Sequence, residues 1–189
     1  MARPDDLPRL GGARVTLRPF SQLTGRDWGR FHAFFRDREI AEWNGSPPLR
    51  MPLWLFRRVV IGEERSGERR GFAVYDEAER FIGSVELYDL TPSRPRPPSE
   101  GTLGIIIGEK DRWGRGYGTA ACRALLRAAF LEMGLECVKL STLENNARAR
   151  RAFEKCGFRL ERVDQSGEKR SAYYSITRRQ WLESGDDPG

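Results

Sequence analysis

The segment Arg112-Trp113-Gly114-Arg115-Gly116-Tyr117-Gly118-Thr119 places three alternating glycines directly ahead of an amphipathic stretch. Glycines at that spacing let the backbone come into contact with a ligand. The first turn of the helix that follows presents N–H groups with no partner inside the helix. Together they bind an anion, and a phosphate or pyrophosphate suits such a start. Arg115 adds a positive charge to it. A tight strand-to-helix connection alone would need one glycine rather than three. Further along, the run Arg148 to Arg151 reads either as a solvated helix face or as counter-charge for a bound nucleotide.

These residues have to be held by regular elements, and hydrophobic periodicity supplies them. Val15 and Leu17 alternate with Arg14, Thr16 and Arg18, a half-buried strand ended by Pro19. Thr24 caps a helix over Trp28, Phe31, Phe34 and Phe35; the one histidine, His32, lies on that aromatic stretch and reads as core. A loop through Asn44 and Pro48 leads to a second helix around Leu53 to Ile61. Gly71 to Tyr75 and Arg80 to Asp89 form a hairpin, followed by a proline- and arginine-rich break from Thr91 to Gly101. Thr102 to Gly108 is a central strand. Tyr117 to Met133 is a helix burying Cys122, Leu125, Leu126 and Ala129. Cys137 to Leu143 is a strand, Asn146 to Cys156 a helix stopped by Gly157, and Phe158 to Val163 with Ala172 to Thr177 a terminal hairpin. Residues 1–12 and 183–189 read as flexible tails around a single domain over 13–182.

Composition sets the class. At 189 residues, with 39% hydrophobic and 11% aromatic residues, the chain is long enough to bury one substantial core. Its apolar runs fall short of the roughly 18 residues of a membrane span, and its first residues lack the apolar stretch of a signal peptide, so the expectation is a cytoplasmic protein without membrane contact. Cys122, Cys137 and Cys156 lack metal-ligand spacing, so no metal is expected. The net charge of +6 invites a nucleic-acid reading, but the arginines are scattered along the chain rather than gathered in a patch, which argues against one. A dinucleotide-binding fold is also disfavoured. Its fingerprint should follow its strand at once and be trailed by an acidic residue at the end of the next strand, which here ends in Leu143.

The element order, the glycine motif and the run Asn146-Ala147-Arg148-Ala149-Arg150-Arg151-Ala152-Phe153-Glu154-Lys155-Cys156-Gly157-Phe158 together resemble the GCN5-related N-acetyltransferase (GNAT) family, over roughly Ala13 to Trp181. The ending Ala172-Tyr173-Tyr174-Ser175-Ile176-Thr177 with Gln180-Trp181, and Trp113, are similar to the branch that acetylates ribosomal-protein N-termini and polyamines. The resemblance implies an α+β fold: a mixed, mostly antiparallel sheet of about seven strands, splayed between the fourth and fifth, with four flanking helices. It implies acetyl-CoA as co-substrate, with Ile105, Ile106 and Ile107 along the pantetheine arm. Gly114, Arg115, Gly116, Gly118 and Thr119 would sit at the pyrophosphate, with Arg112, Asn146, Phe153 and Lys155 completing the cofactor site. For Asn146, helix capping alone remains an alternative.

Two positions depart from the family pattern. Phe153 stands where many members carry a tyrosine acid, with Tyr117, Tyr173 and Tyr174 as possible substitutes, and Thr102 stands where several carry a glutamate base, with Glu100 just outside. Glu86, on the strand face shared with Ser84 and Tyr88, is the candidate base, or else a polar residue on a sheet face. Glu42, Trp43 and Asn44 are the candidate acceptor-binding residues, and Glu39 is placed to attract a cation. The expected reaction is acetyl transfer to a primary amine (a protein N-terminus, polyamine, aminoglycoside or amino sugar) by a monomer or homodimer. A non-catalytic acyl-CoA sensor is the alternative.

Overall fold

Thr24 closes a capping box with Asp27. Its hydroxyl oxygen accepts from the Asp27 N–H at 3.2 Å while the Asp27 carboxylate accepts from the Thr24 N–H at 3.3 Å, and this starts helix α1 (Gly25–Arg36). The spacing of Trp28, Phe31 and Phe34 then buries one face of α1 in an aromatic cluster with Phe20, Phe56 and Phe81. The structure is a computed structural model and describes residues 10–12, 14–91, 97–166 and 169–184.

Strands β1 (Leu10–Gly12) and β2 (Val15–Pro19) precede α1, and α2 (Arg38–Trp43) and α3 (Leu53–Ser66) follow it. Next come β3 (Arg70–Tyr75), β4 (Phe81–Thr91) and β5 (Glu100–Ile107). The second half runs α4 (Tyr117–Arg127), β6 (Cys137–Leu143), α5 (Ala147–Glu154), β7 (Arg159–Ser166), β8 (Lys169–Thr177) and α6 (Arg178–Glu183). One sheet takes all eight strands in the order β1-β2-β3-β4-β5-β6-β8-β7. Every neighbouring pair is antiparallel except β5 with β6. Two hydrophobic clusters cover the faces: α1 and α3 with the aromatic cluster on one, and α4, α5 and α6 over Val85, Leu87, Leu103, Val138 and Ile176 on the other.

The parallel pair positions the site. β5 and β6 are in register only from Glu100↔Cys137 to Thr102↔Lys139. Beyond Thr102, β5 continues against β4 as far as Ile107, and β6 continues against β8 as far as Leu143, so the two part company inside the sheet. Gly104 to Ile107 are consequently only half-buried although the strand is central.

The fold is therefore the α+β mixed sheet expected, splayed where expected, with three corrections. The tail reading fails at Leu10–Gly12, which pair with Gly12↔Val15 to Leu10↔Leu17 as an eighth strand too short and too glycine-rich to show alternation. Residues 1–9 and Ala13 lie outside the described residues, as do 185–189 of the C-terminal tail, whereas Glu183 belongs to α6. Six helices stand among the described residues rather than four, because α2 and α6 have six residues each, too few for periodicity to register. Caps stabilise both: Asp37 accepts from the Ile40 N–H at 3.0 Å, and Thr177 forms a box with Gln180. The helix read through to Met133 widens to π geometry over Ala128–Glu132.

The β4–β5 ladder leaves no room at Gly83, where a Cβ would lie 2.1 Å from the Ile106 carbonyl oxygen. Gly83→Ala is expected to destabilise the protein by about 1–3 kcal/mol. Gly62→Ala on α3, with nothing within 4 Å of its Cβ, is expected to stabilise it by up to about 1 kcal/mol. The urea midpoints of the two variants should move in opposite directions.

Candidate functional site

The gap between β5 and β6 opens into a cavity of about 250 Å³. One wall is the unpaired edge of β5, Ile105 to Ile107. The glycine segment and the first turn of α4 form its rim, and α5 its other side. Gly114 (φ 74°) and Gly116 (φ 88°) both adopt the left-handed conformation that glycine alone takes at no cost, which folds the segment back onto the N-terminus of α4. Among the described residues no side chain caps that terminus, so its first N–H groups stay available to a ligand. Gly118 is helical; a Cβ there would make only ordinary contacts with Ile107 and Ile105, at 3.9 and 4.0 Å, so the absent side chain matters for what lies in the cavity rather than for packing. Trp113 turns its indole back over β5 and donates from Nε1 to the Ile107 carbonyl at 2.6 Å, satisfying one acceptor of the free edge.

The residues expected at the cofactor come together here with one exception. Ile105, Ile106, Ile107, Arg112, Gly114, Gly116, Gly118, Thr119, Asn146, Phe153 and Lys155 all line the cavity. Arg115 does not: its side chain is exposed, and only its backbone carbonyl is engaged, accepting from Arg14. Arg112 faces the cavity but is committed to the buried Asp76 at 2.9 Å. Asn146 does cap α5, its Oδ1 accepting from the Ala149 N–H at 3.1 Å, yet its Nδ2 has no partner among the described residues and the residue lines the cavity. Capping and ligand contact are therefore compatible. Arg151 and Lys155 are exposed cations at the mouth.

Trp43 and Asn44, at the end of α2, also reach the cavity. Glu42 turns away into a neighbouring hollow with Arg38, which pairs with it at 3.0 Å. Glu39 is held by Lys110 at 2.8 Å. The sequence reading missed Ile40 and Cys122, and it had Arg148 only as part of the run Arg148 to Arg151, a solvated face or counter-charge for a nucleotide; the Arg148 guanidinium lies 3.9 Å from the Trp113 ring and 5.6 Å from the Trp43 ring. An arginine between two indoles far apart in sequence has no local signature.

Each candidate acid or base has a partner of its own. Phe153 is buried in the core. Tyr117 lines the cavity but donates to Glu77 at 2.8 Å, Tyr174 bonds Glu154 and accepts from Arg150, and Tyr173 stacks on Arg162. Glu100 pairs with Lys139. Glu86 lies beside Gly104 but outside the cavity lining, ion-paired to Arg69, which also meets Glu63. Burial pushes the Glu86 carboxyl above its ordinary range, with Arg69 opposing. Neighbouring Glu64 accepts from the Gly71 N–H at 3.3 Å, and burial lifts its pKa to about 7. His32 is buried, with Nε2 2.8 Å from the Met51 carbonyl oxygen.

The profile of the Acetyltransferase (GNAT) domain family matches residues 14–159, and the chain belongs to that family. Its fold is similar to solved acetyltransferases. Spermidine N-acetyltransferase from Vibrio cholerae, in complex with CoA and spermine, matches with a TM-score of 0.77 at 20% identity over 90% of this chain and 99% of that one. A GNAT-family acetyltransferase from Bacillus anthracis gives 0.72 at 18% over 91% and 99%. The aminoglycoside acetyltransferase AAC(6')-Ib, in complex with coenzyme A, gives 0.72 at 20% over 90% and 99%. Among the described residues no cluster of ligands suits a metal ion, and no helix is long and apolar enough to cross a membrane.

Glu64 carries a pH dependence. In the folded protein it binds its proton more tightly than in the unfolded chain, so stability contributed at this site falls as pH rises from about 4.5 to about 7. Glu64→Gln, which keeps an acceptor for Gly71, is therefore expected to gain stability relative to the parent across that window, by at most about 3 kcal/mol, and to hold a constant difference above it. Urea unfolding of both proteins at pH 4.5, 6 and 8 measures this.

Proposed function

We propose that the chain transfers an acetyl group from acetyl-CoA to a primary amine by direct attack in a ternary complex. The observation that carries this is the unpaired β5 edge ending in an uncapped helix N-terminus inside an acetyltransferase fold. The Ile105 to Ile107 backbone hydrogen-bonds the pantetheine arm as an added strand would. Gly114, Gly116, Gly118 and Thr119 give N–H groups to the pyrophosphate, and Arg151 and Lys155 neutralise the remaining phosphates. Asn146 places its free amide near the thioester. Solved acetyltransferases of this fold are complexes with CoA and with spermine or aminoglycosides, which supports an amine acceptor.

The amine's lone pair attacks the thioester carbonyl; the C–N bond forms, the C–S bond breaks, CoA leaves as the thiolate and the nitrogen gives its proton to water. With Glu86 held by Arg69, the amine is best supplied already neutral. Deprotonating a lysine-like amine at pH 7 costs about 4.6 kcal/mol and an α-amine about 1 kcal/mol. With Phe153 unable to donate a proton, the leaving group departs as a thiolate and is protonated by water, which a thiol of pKa near 8.5 tolerates. We place this activity in the cytoplasm, in keeping with three free cysteines.

Incubation with acetyl-CoA and a panel of N-terminal peptides, polyamines, aminoglycosides and amino sugars should release free thiol with at least one acceptor. CoA binding without thiol release from any amine would instead favour a sensor. Gly118→Ala should fold with unchanged stability yet bind CoA about tenfold or more weakly, because its methyl group occupies the ligand's side of the first turn. Gly116→Ala should cost about 1–2 kcal/mol in stability as well, from its left-handed φ.

A further inference from the structure

Arg148 is the polar group in the cavity that neither the fold nor the cofactor cradle accounts for. Its guanidinium carbon lies 3.9 Å from the centre of the Trp113 ring and 5.6 Å from that of Trp43, so it spans from α5 to the end of α2. No hydrogen bond or ion pair joins it to another described residue. Two indoles therefore flank the group while its N–H donors have no partner among the described residues. Burial lowers its pKa and the charge of Glu39 opposes this, but Glu39 is held by Lys110.

The described charges that line the cavity have one sign, while outside the lining Glu39 acts on Arg148 from a group in which Lys110 meets both Glu39 and Asp37. The described residues lining the cavity include Arg112, Arg148, Arg151 and Lys155 and no Asp or Glu. Arg112 is spent on Asp76. Arg151 and Lys155 stand one and two turns further along α5, where phosphates neutralise them. Arg148 alone remains charged at the end of the cavity bounded by Ile40, Trp43 and Asn44. A polycationic acceptor would bring its second ammonium up to this arginine with no carboxylate among the described lining residues to receive it, whereas a planar carboxylate fits the free edge in a bidentate pair.

We propose that Arg148 is a specificity-determining residue that recognises a carboxylate on the acceptor, so that the favoured acceptors are amines carrying a nearby carboxylate and an apolar body, such as amino acids or short peptides. This rests on the acyl-transfer reading above. The apolar surfaces of Ile40, Ile106, Trp43 and Trp113 border the same end of the cavity and suit the apolar body.

The test is a panel of free amino acids and dipeptides with apolar side chains, each as carboxylate and as carboxamide, with spermidine for comparison. Acceptor binding to the CoA-loaded full chain is followed by tryptophan fluorescence, since Trp43 and Trp113 flank the site, and turnover by thiol release. The carboxylates are expected to bind about 10- to 100-fold more tightly than their carboxamides or spermidine. Arg148→Gln should abolish that difference by raising KM with little change in kcat, and should leave CoA affinity within twofold. Preference for spermidine, no binding by any carboxylate in the panel, equal effects of Arg148→Gln on carboxylate and carboxamide, or a matching loss of CoA affinity would each overturn the proposal. Because binding is read without turnover, an absence of thiol release from every amine would count against the acyl-transfer reading while fluorescence still decides the role of Arg148.

Discussion

The parting of β5 and β6 after three parallel pairs is the constraint on which the molecule depends. A sheet normally satisfies each strand on both sides, and an unpaired edge in its middle leaves buried backbone groups without partners. Here the loss is confined to a short stretch and partly met from within, by the Trp113 indole on the Ile107 carbonyl. The rest of the edge is a template for a ligand with amide groups of its own. The outer neighbours prevent the gap from closing: β4 holds β5 through Ile107, and β8 holds β6 through Leu143, so neither strand is free to swing across.

The two faces of the sheet divide the labour. Beneath the gap, α4 and α5 pack over Cys122, Phe153, Cys156 and Phe158, a dry floor that carries the cradle at the start of α4. Above it, the aromatic cluster of α1 and α3 anchors α2, whose end delivers Trp43 and Asn44 to the cavity. Electrostatics follows the same division. On the upper face Glu86 pairs with Arg69, and Glu39 and Asp37 share Lys110, and no described Asp or Glu lines the cavity. The described charges of the lining are consequently all cationic, which suits a polyanionic cofactor and bears on what can approach its acetyl group.

Much of the fold was legible because its determinants are local. Alternation marked β2, the aromatic spacing marked α1, and Gly157 marked the end of α5 at a left-handed φ of 86°. Elements that escaped notice are those without room for a period: the three residues of β1 and the six each of α2 and α6, which exist through pairing with β2 and through caps at Asp37 and Thr177. Among the site residues, Glu86 illustrates the opposite case. Its strand position and face were read correctly, but its ion pair comes from Arg69 at the start of a different strand, and no spacing rule foretells that choice.

By itself, then, the sequence determined the part of the cavity built from the glycine segment and α5, where the cofactor is proposed to bind. The cradle is a matter of backbone conformation over a few consecutive residues, where glycine alone takes the required φ, and the Asn146 to Phe158 run is likewise one helix and its caps. Tertiary structure alone decided the end of the cavity beside Ile40, Trp43 and Arg148, where the acceptor is proposed to bind. Which carboxylates are neutralised, which arginine is left with free edges, and which two indoles hold it depend on residues from α2, α5 and the glycine segment meeting across the gap. Such meetings are set by the packing of the whole sheet rather than by any stretch of chain.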